Sequence, residues 1–262
     1  MTEDQAKAHK DKWSDTLISF ASPYRHKLQE FSVDQPELPD TKTISVEDHM
    51  FKFRLAQSKD GLGPASLLVQ QMYSWRGYST NAGLHHSPNR FTMLAFYGNI
   101  NIGTVTLGLD SEEGLSVDEM YKDKVDELRA ANRKVCDITK LAVDKNVRSK
   151  RVLAALFHLC FIYGRNIHGC TDFVIEVNPR HVLFYKKMLG FKQFGEEKTC
   201  PRVNAPAILL RLELDYAERK ITEFGGQMEE ATGEKSLYPF FFSKKDELGI
   251  TNLQKANSLR RM

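Results

Sequence analysis

The sequence predicts an α/β domain, with strands forming a central sheet and helices flanking it. Three observations lead there. Residues 136–191 run strand, turn, helix, strand, helix: an alternating strand, a run apolar on nearly every side, a second strand and a capped helix. Residues 91–109 form two apolar-rich β runs around Gly98-Asn99, the signature of a hairpin. A hydrophobic content of 41% in 262 residues is enough to build a globular core.

The first 45 residues read as a peripheral N-terminal extension. Glu3 to Phe20 has a partial helical stripe of Ala6, Trp13, Leu17 and Phe20, and Pro23, Pro36 and Pro39 then break the chain. The domain proper is expected at 46–222 and a tail at 223–262. Phe51 to Ala56 alternates as a strand, and Gly61-Leu62-Gly63-Pro64 reads as a turn. Ala65 to Trp75 follows as a helix with Leu67, Leu68, Gln71, Met72 and Trp75 on one stripe. Asp118 to Arg133 is a second helix, with Met120, Val125 and Leu128 facing inward.

Cys136 to Val143 then reads as a strand and Val152 to Tyr163 as a buried helix. Asp172 to Val177 is the next strand. Asn178-Pro179 pairs a cap residue with proline at the first helical position, opening a helix that closes at Gly190-Phe191. Two more strands are expected at Lys192-Gln193-Phe194 and Ala207 to Leu214. The tail segment Leu237-Tyr238-Pro239-Phe240-Phe241-Phe242 is too aromatic for free linker and is expected to dock on the body or line an acyl tunnel.

Bulk properties exclude several classes. No apolar run approaches the roughly 20 residues of a membrane-spanning helix, and the first residues lack a secretory apolar segment, so the expected location is the cytoplasm. A peripheral membrane contact through the N-terminal stretch stays open. The net charge of +3 does not predict nucleic-acid binding. Cys136, Cys160, Cys170 and Cys200 lie far apart and read as reduced core thiols. His85 and His86 have no third ligand at metal spacing, so no metal site is expected. Five basic residues (Lys140, Lys145, Arg148, Lys150, Arg151) against one acid, Asp144, gather in the turn after the central strand.

Strand, basic turn, helix, strand, then Asn178 … Phe184-Tyr185 … Leu189-Gly190-Phe191 resembles the GCN5-related N-acetyltransferase (GNAT) fold. Asp137-Ile138-Thr139-Lys140-Leu141-Ala142-Val143 is similar to the Glu/Asp-x-Thr-Arg/Lys-Leu-Ala-Val pattern of its long-chain N-acyl amino acid synthase branch. So are Tyr73 to Tyr78, Gly103-Thr104-Val105-Thr106-Leu107, Val177 to Tyr185 and Leu237-Tyr238-Pro239. The resemblance implies a mixed, mostly antiparallel central sheet flanked by helices, with splayed central strands and a wedge between the strand of Asp137 and the strand of Phe173 that admits a pantetheine arm. A bulge there would aim a backbone N–H at the thioester carbonyl.

The implied reaction moves a long-chain acyl group from acyl carrier protein to the α-amine of an amino acid. The acyl-phosphopantetheine thioester is then the donor substrate, and no tightly bound cofactor is required. Acetyl-coenzyme A users of this fold carry glycines where this chain has Arg151 and Leu153, and those glycines allow a close approach to pyrophosphate. Their replacement points to a carrier-protein donor, docked through Lys145, Arg148, Lys150 and Arg151.

Asp137, Thr139 and Tyr185 are the candidate catalytic residues: base, positioning hydroxyl and acid for the departing thiolate. Glu176, on the neighbouring strand, is the fallback base. Leu141, Ala142, Val143, Arg148, Ser149, Lys150 and Asn178 are the candidates for the thioester arm. Arg76, Arg180 and His181 are those for the amino-acid carboxylate. Three rivals remain at this stage: an acyl-homoserine lactone synthase, an ordinary coenzyme A-dependent N-acetyltransferase, and a non-catalytic carrier-protein binding module.

Overall fold

The computed structural model describes residues 16–21, 50–56, 59–74, 87–144, 147, 149–230 and 233–259. Among these, eight strands form one sheet and six α-helices surround it. In chain order they are β1 (Thr16–Ala21), β2 (Met50–Ala56), α1 (Lys59–Ser74), β3 (Arg90–Tyr97), β4 (Ile100–Leu109), α2 (Asp118–Ala130) and β5 (Val135–Val143). Then come α3 (Lys150–Phe161), β6 (Asp172–Val177), α4 (Val182–Leu189), β7 (Lys192–Cys200), β8 (Ala205–Glu213), α5 (Leu214–Phe224) and α6 (Lys244–Leu259). The strand order is β1-β2-β3-β4-β5-β6-β8-β7. Every neighbouring pair is antiparallel except β5–β6.

The hairpin β3–β4 turns at Gly98, whose φ of +54° suits a residue without Cβ. The Asn178 side chain accepts a hydrogen bond from the Arg180 N–H at 3.2 Å, capping the short 3₁₀ turn Pro179–His181 that leads into α4. Gly190 ends α4 in the left-handed region, and a Cβ there would lie 2.2 Å from the Tyr216 ring.

Three expectations need correction. The helix read from Glu3 to Phe20 is, over its described part, strand β1: Leu17 is buried and Phe20 stacks on Phe53 at 5.4 Å. Its Thr-Leu-Ile-Ser-Phe run suits a pleated, half-buried surface, and pairing with β2 decides the outcome. Helix α1 starts at Lys59, so the Gly61–Pro64 stretch lies within it; helix propensity is a weak preference that packing overrides. Its inward stripe is Leu68, Val69 and Met72 against Ala142 of β5, while Leu67 is 56% exposed and Gln71 also faces outward.

Two cores result, one on each sheet face. The larger packs α3 against β2 to β6, with Cys136 and Ile138 pointing into it. The smaller joins Val135, Val174 and Leu209 to Tyr121, Val125 and Leu128 of α2. The aromatic tail docks on the body: Leu237, Tyr238, Phe241 and Phe242 are buried in the larger core, and the Tyr238 hydroxyl donates to the Leu189 carbonyl at 2.7 Å. His158, fully buried on α3, pins this tail. Its Nδ1 accepts from the Phe242 N–H at 2.9 Å, and Nε2 lies 3.3 Å from Glu247 of α6.

Candidate active site

The site begins where a ladder stops. β5 and β6 pair at Val135–Asp172, Cys136–Phe173 and Asp137–Val174, and no further. β6 remains paired with β8 along its whole length, from Asp172 to Val177, so the gap opens on the β5 side. The cause lies in β5. Thr106 faces Thr139 and Thr104 faces Ala142, so Lys140 and Leu141 together oppose the single Val105. Lys140 takes φ +51°, a bulge geometry that bends the strand and increases its twist.

The parted strands enclose a cleft of about 260 Å³. Ile138, Thr139, Lys140 and Leu141 form one wall, and Ile175, Glu176, Val177 and Asn178 the other. The β7–β8 turn closes one side with Cys200, Arg202, Val203, Ala205, Pro206 and Ala207. Val69 and Tyr73 of α1, with Ser116, His181 and Tyr185, complete it.

Two carboxylates flank the divide and differ in access. Asp137 is 0% exposed and does not line the cleft. The Ser116 N–H donates to its Oδ2 at 2.6 Å, and Arg90 stands 3.8 Å from Oδ1. Burial pushes its carboxyl above the usual range, with Arg90 and Ser116 pulling the other way. A Cβ at Gly108 would lie 2.3 Å from Oδ1, so the strand beside it has no room for a larger residue.

Glu176 lines the cleft and keeps 11% side-chain exposure. Arg202 donates to its Oε2, while Oε1 has no hydrogen-bond partner among the described residues. Burial pushes this carboxyl up to about 7; Arg202 opposes the shift, and Asp137 and Glu119 add to it. That is the range in which a carboxylate exchanges protons near neutrality.

Lys140, on the bulge, is half-buried, and burial followed by the charges of Arg90 and Arg202 holds its ammonium below the ordinary range. Tyr185 reaches the cleft from α4, with its ring edge-on to Phe157, Phe184 and Phe191 at 6.2, 5.4 and 5.8 Å.

The structure brings together Thr139, Leu141, Asn178, His181 and Tyr185 of the expected site. Ala142 is buried against α1, Val143 is half-buried beside the larger core, and neither lines the cleft. Ser149 precedes α3 with no side-chain cap bond, and Lys150 lies 5.5 Å from the Phe240 ring. Arg151 lies over the Phe20 ring at 4.2 Å, which ties it to β1. Arg180 sits beside the cleft, where its Nε donates to His181 at 3.2 Å. Arg76, Lys145, Arg148 and the His85-His86 pair fall outside the described residues.

Sequence reasoning missed Ser116 and Arg202. All four cysteines are buried free thiols, and burial raises the Cys136 thiol well above its ordinary range. Among the described residues no group of three or more His, Cys, Asp or Glu is placed to hold a metal ion. No helix there is long and apolar enough to cross a membrane.

Parted central strands, a cleft between them with Glu176 on its wall and an Asn-Pro turn beside it are the features expected of an acyltransferase of the GNAT fold. The chain belongs to the family described as N-acyl amino acid synthase FeeM, whose model matches residues 64–213, more than half of the sequence. Among solved structures it is similar to FeeM, an N-acyl amino acid synthase from uncultured soil microbes. Identity is 27% and the TM-score 0.60, over 64% of this chain and 93% of that one. Weaker likenesses are to Escherichia coli ElaA (12% identity, TM-score 0.48, 62% of this chain and 99% of that chain) and to the acyl-homoserine lactone synthase LasI (14%, 0.44, 63% and 90%). Among curated proteins no sequence matches this chain.

Proposed function

We propose that this N-acyltransferase takes a long-chain acyl group from the phosphopantetheine thioester of an acyl carrier protein and joins it to the α-amine of an amino acid. The observation that carries the reading is the cleft between β5 and β6, with Glu176 on its wall. A pantetheine arm needs free backbone to bond, and the divergence leaves β5 and β6 edges unpaired beyond Asp137 and Val174. Val69, Ile138, Leu141, Ile175 and Val177 supply apolar surface for an alkyl chain.

Glu176 acts as the base. The α-ammonium of a free amino acid is a weaker acid than a peptide amino terminus, and a carboxylate raised to about 7 lies closer to it than an ordinary carboxylate does, so it is the better base of the two. The freed nitrogen attacks the thioester carbonyl carbon, and the carbonyl electrons move onto oxygen. Backbone N–H groups at the Lys140–Leu141 bulge suit that oxyanion. As the intermediate collapses the C–S bond breaks, and Tyr185 protonates the departing thiolate. The second proton lost by nitrogen restores Tyr185, so one proton in all leaves through Glu176 to water. Thr139 orients the amine, and Lys140 with His181 takes the carboxylate of the acceptor.

The donor assignment rests on α3. Arg151 and Leu153 occupy the positions where coenzyme A enzymes of this fold keep glycine, and both side chains pack onto the body. This disfavours wrapping of a nucleotide pyrophosphate and suits a donor with a single phosphate. Lys150, Lys186 and Lys187 offer positive charge to an acidic carrier. A carrier-protein donor also accords with a cytoplasmic reaction.

The test is direct. Purified enzyme with acyl carrier proteins of graded chain length and a panel of amino acids should release carrier thiol and an N-acyl amino acid. Transfer only from acetyl-coenzyme A, or no product across the panel, would contradict the reading.

A further inference from the structure

We propose that Arg202 is the positioning residue of this reaction: from the β7–β8 turn it holds Glu176 by one carboxylate oxygen and ties that turn to the segment leading into α2. The inference rests on the reading of Glu176 as the base.

One guanidinium meets three partners from two places in the chain, β6 and the start of α2. Its Nη2 donates to Glu176 Oε2 on β6. Its Nη1 donates to the Ser116 carbonyl at 2.5 Å and lies 3.0 Å from Glu119 Oε2 in the first turn of α2. A planar fork can satisfy such a set at once, whereas an ammonium acts as a single point charge. The turn that delivers it, Pro201 to Asn204, has Asn204 at φ +47°, a left-handed position that asparagine tolerates.

The division of the Glu176 carboxylate gives the contact its meaning. Oε2 is taken by Arg202, while Oε1 is buried and has no partner among the described residues. A base held by one oxygen has a fixed plane and a second oxygen reserved for the acceptor ammonium. Asp137 of β5 and Glu119 of α2 are the acids acting on Glu176, Tyr121 of α2 also faces it, and Lys140, His181, Tyr185 and Cys200 line the same cleft. The two acids favour its protonated form, so Arg202 is the group that keeps it able to ionise near neutrality.

The experiment follows Glu176 itself, by carbon-detected NMR titration of side-chain carboxyls in the full chain, with the signal assigned by Glu176→Gln. In the unaltered enzyme the midpoint should lie near 7. Arg202→Gln should raise it by about one unit, a tenfold change in proton affinity, and move the alkaline rise of kcat/KM for acyl transfer with it. Arg202→Lys keeps the charge without the fork and should leave a smaller rise than Arg202→Gln. It also covers the case in which the glutamine variant fails to fold. An unmoved midpoint and pH profile in these variants, with Glu176→Gln inactive, would overturn the role of Arg202 alone. Full transfer by Glu176→Gln would overturn the base reading and this role with it.

Discussion

Asp137 faces Val174 in the last rung of the parallel β5–β6 ladder, and beyond that pair the two strands go separate ways. The divergence is built into β5, because two residues of that strand, Lys140 and Leu141, stand opposite one residue of β4. The opening is therefore a consequence of backbone register and does not require a ligand to pry it apart. Thr139 lies on its wall and is half-buried. Thr139→Trp should fill the wedge and lower acyl transfer at least tenfold, while the melting temperature stays within a few degrees. Turnover by this variant at the level of the parent enzyme would show that the donor lies elsewhere.

The proposed role of Glu176 as base predicts a pH dependence. Its carboxyl titrates at about 7, so the fraction able to accept the acceptor proton rises as pH rises through that value. kcat/KM, read under conditions where the thioester is stable, should climb from pH 6 to pH 8 along a single ionisation. A profile flat over this interval would remove Glu176 as the titrating base.

The same shift has the opposite sign for stability. A carboxyl whose pKa is raised on folding binds its proton more tightly in the folded state, so stability falls as pH rises from the unfolded value toward about 7. Glu176→Gln cannot ionise and escapes this loss. Relative to the parent enzyme, the variant should therefore gain melting temperature on going from pH 5 to pH 8. A difference that stays constant with pH would contradict the raised pKa.

The tail has its own buried anchor. The Phe242 N–H donates to His158 Nδ1, which leaves the proton of a neutral imidazole on Nε2, facing Glu247. Burial favours this neutral form of His158, against the pull of Glu247. For Glu247 burial works against ionisation, but hydrogen bonds from His158, Lys244 and Asn166 outweigh it and hold the carboxyl at about 2. A depressed carboxyl contributes stability above its unfolded pKa and loses it as pH falls toward 2. Glu247→Ala strands buried donors and should cost about 2–3 kcal/mol at neutral pH. Thermal or urea unfolding would measure the loss, which should shrink below pH 4.

Local signals were legible in the sequence, and contacts between distant segments were not. The β3–β4 hairpin, the Asn178 cap with its following proline and the Gly190 stop are each specified within a few residues, and all three appear. Thr16–Ala21 misled because Trp13, Leu17 and Phe20 fall at helical spacing, while the partner that makes this segment a strand is β2. Helix α5 hid behind the end of β8, although Leu214, Ala217 and Ile221 do form a helical stripe.

Alternation along β5 correctly put Asp137 and Thr139 on one face. It could not show that Ser116, brought in by the segment before α2, covers the first and leaves the second at the cleft. Arg202 was illegible for the same reason: a basic residue in a hairpin turn shows its partners only once β6 and α2 are in place.

The central claim is that the wall of the cleft, at Glu176, holds the base, and that Asp137 behind it does not. Initial rates of N-acyl amino acid formation from an acyl carrier protein, measured side by side for Glu176→Gln and Asp137→Asn, test it most directly. The account predicts a loss of roughly 10²–10⁴-fold for Glu176→Gln, the range of a general base, and a fall of less than tenfold for folded Asp137→Asn. A crippled Asp137→Asn beside an active Glu176→Gln would contradict it.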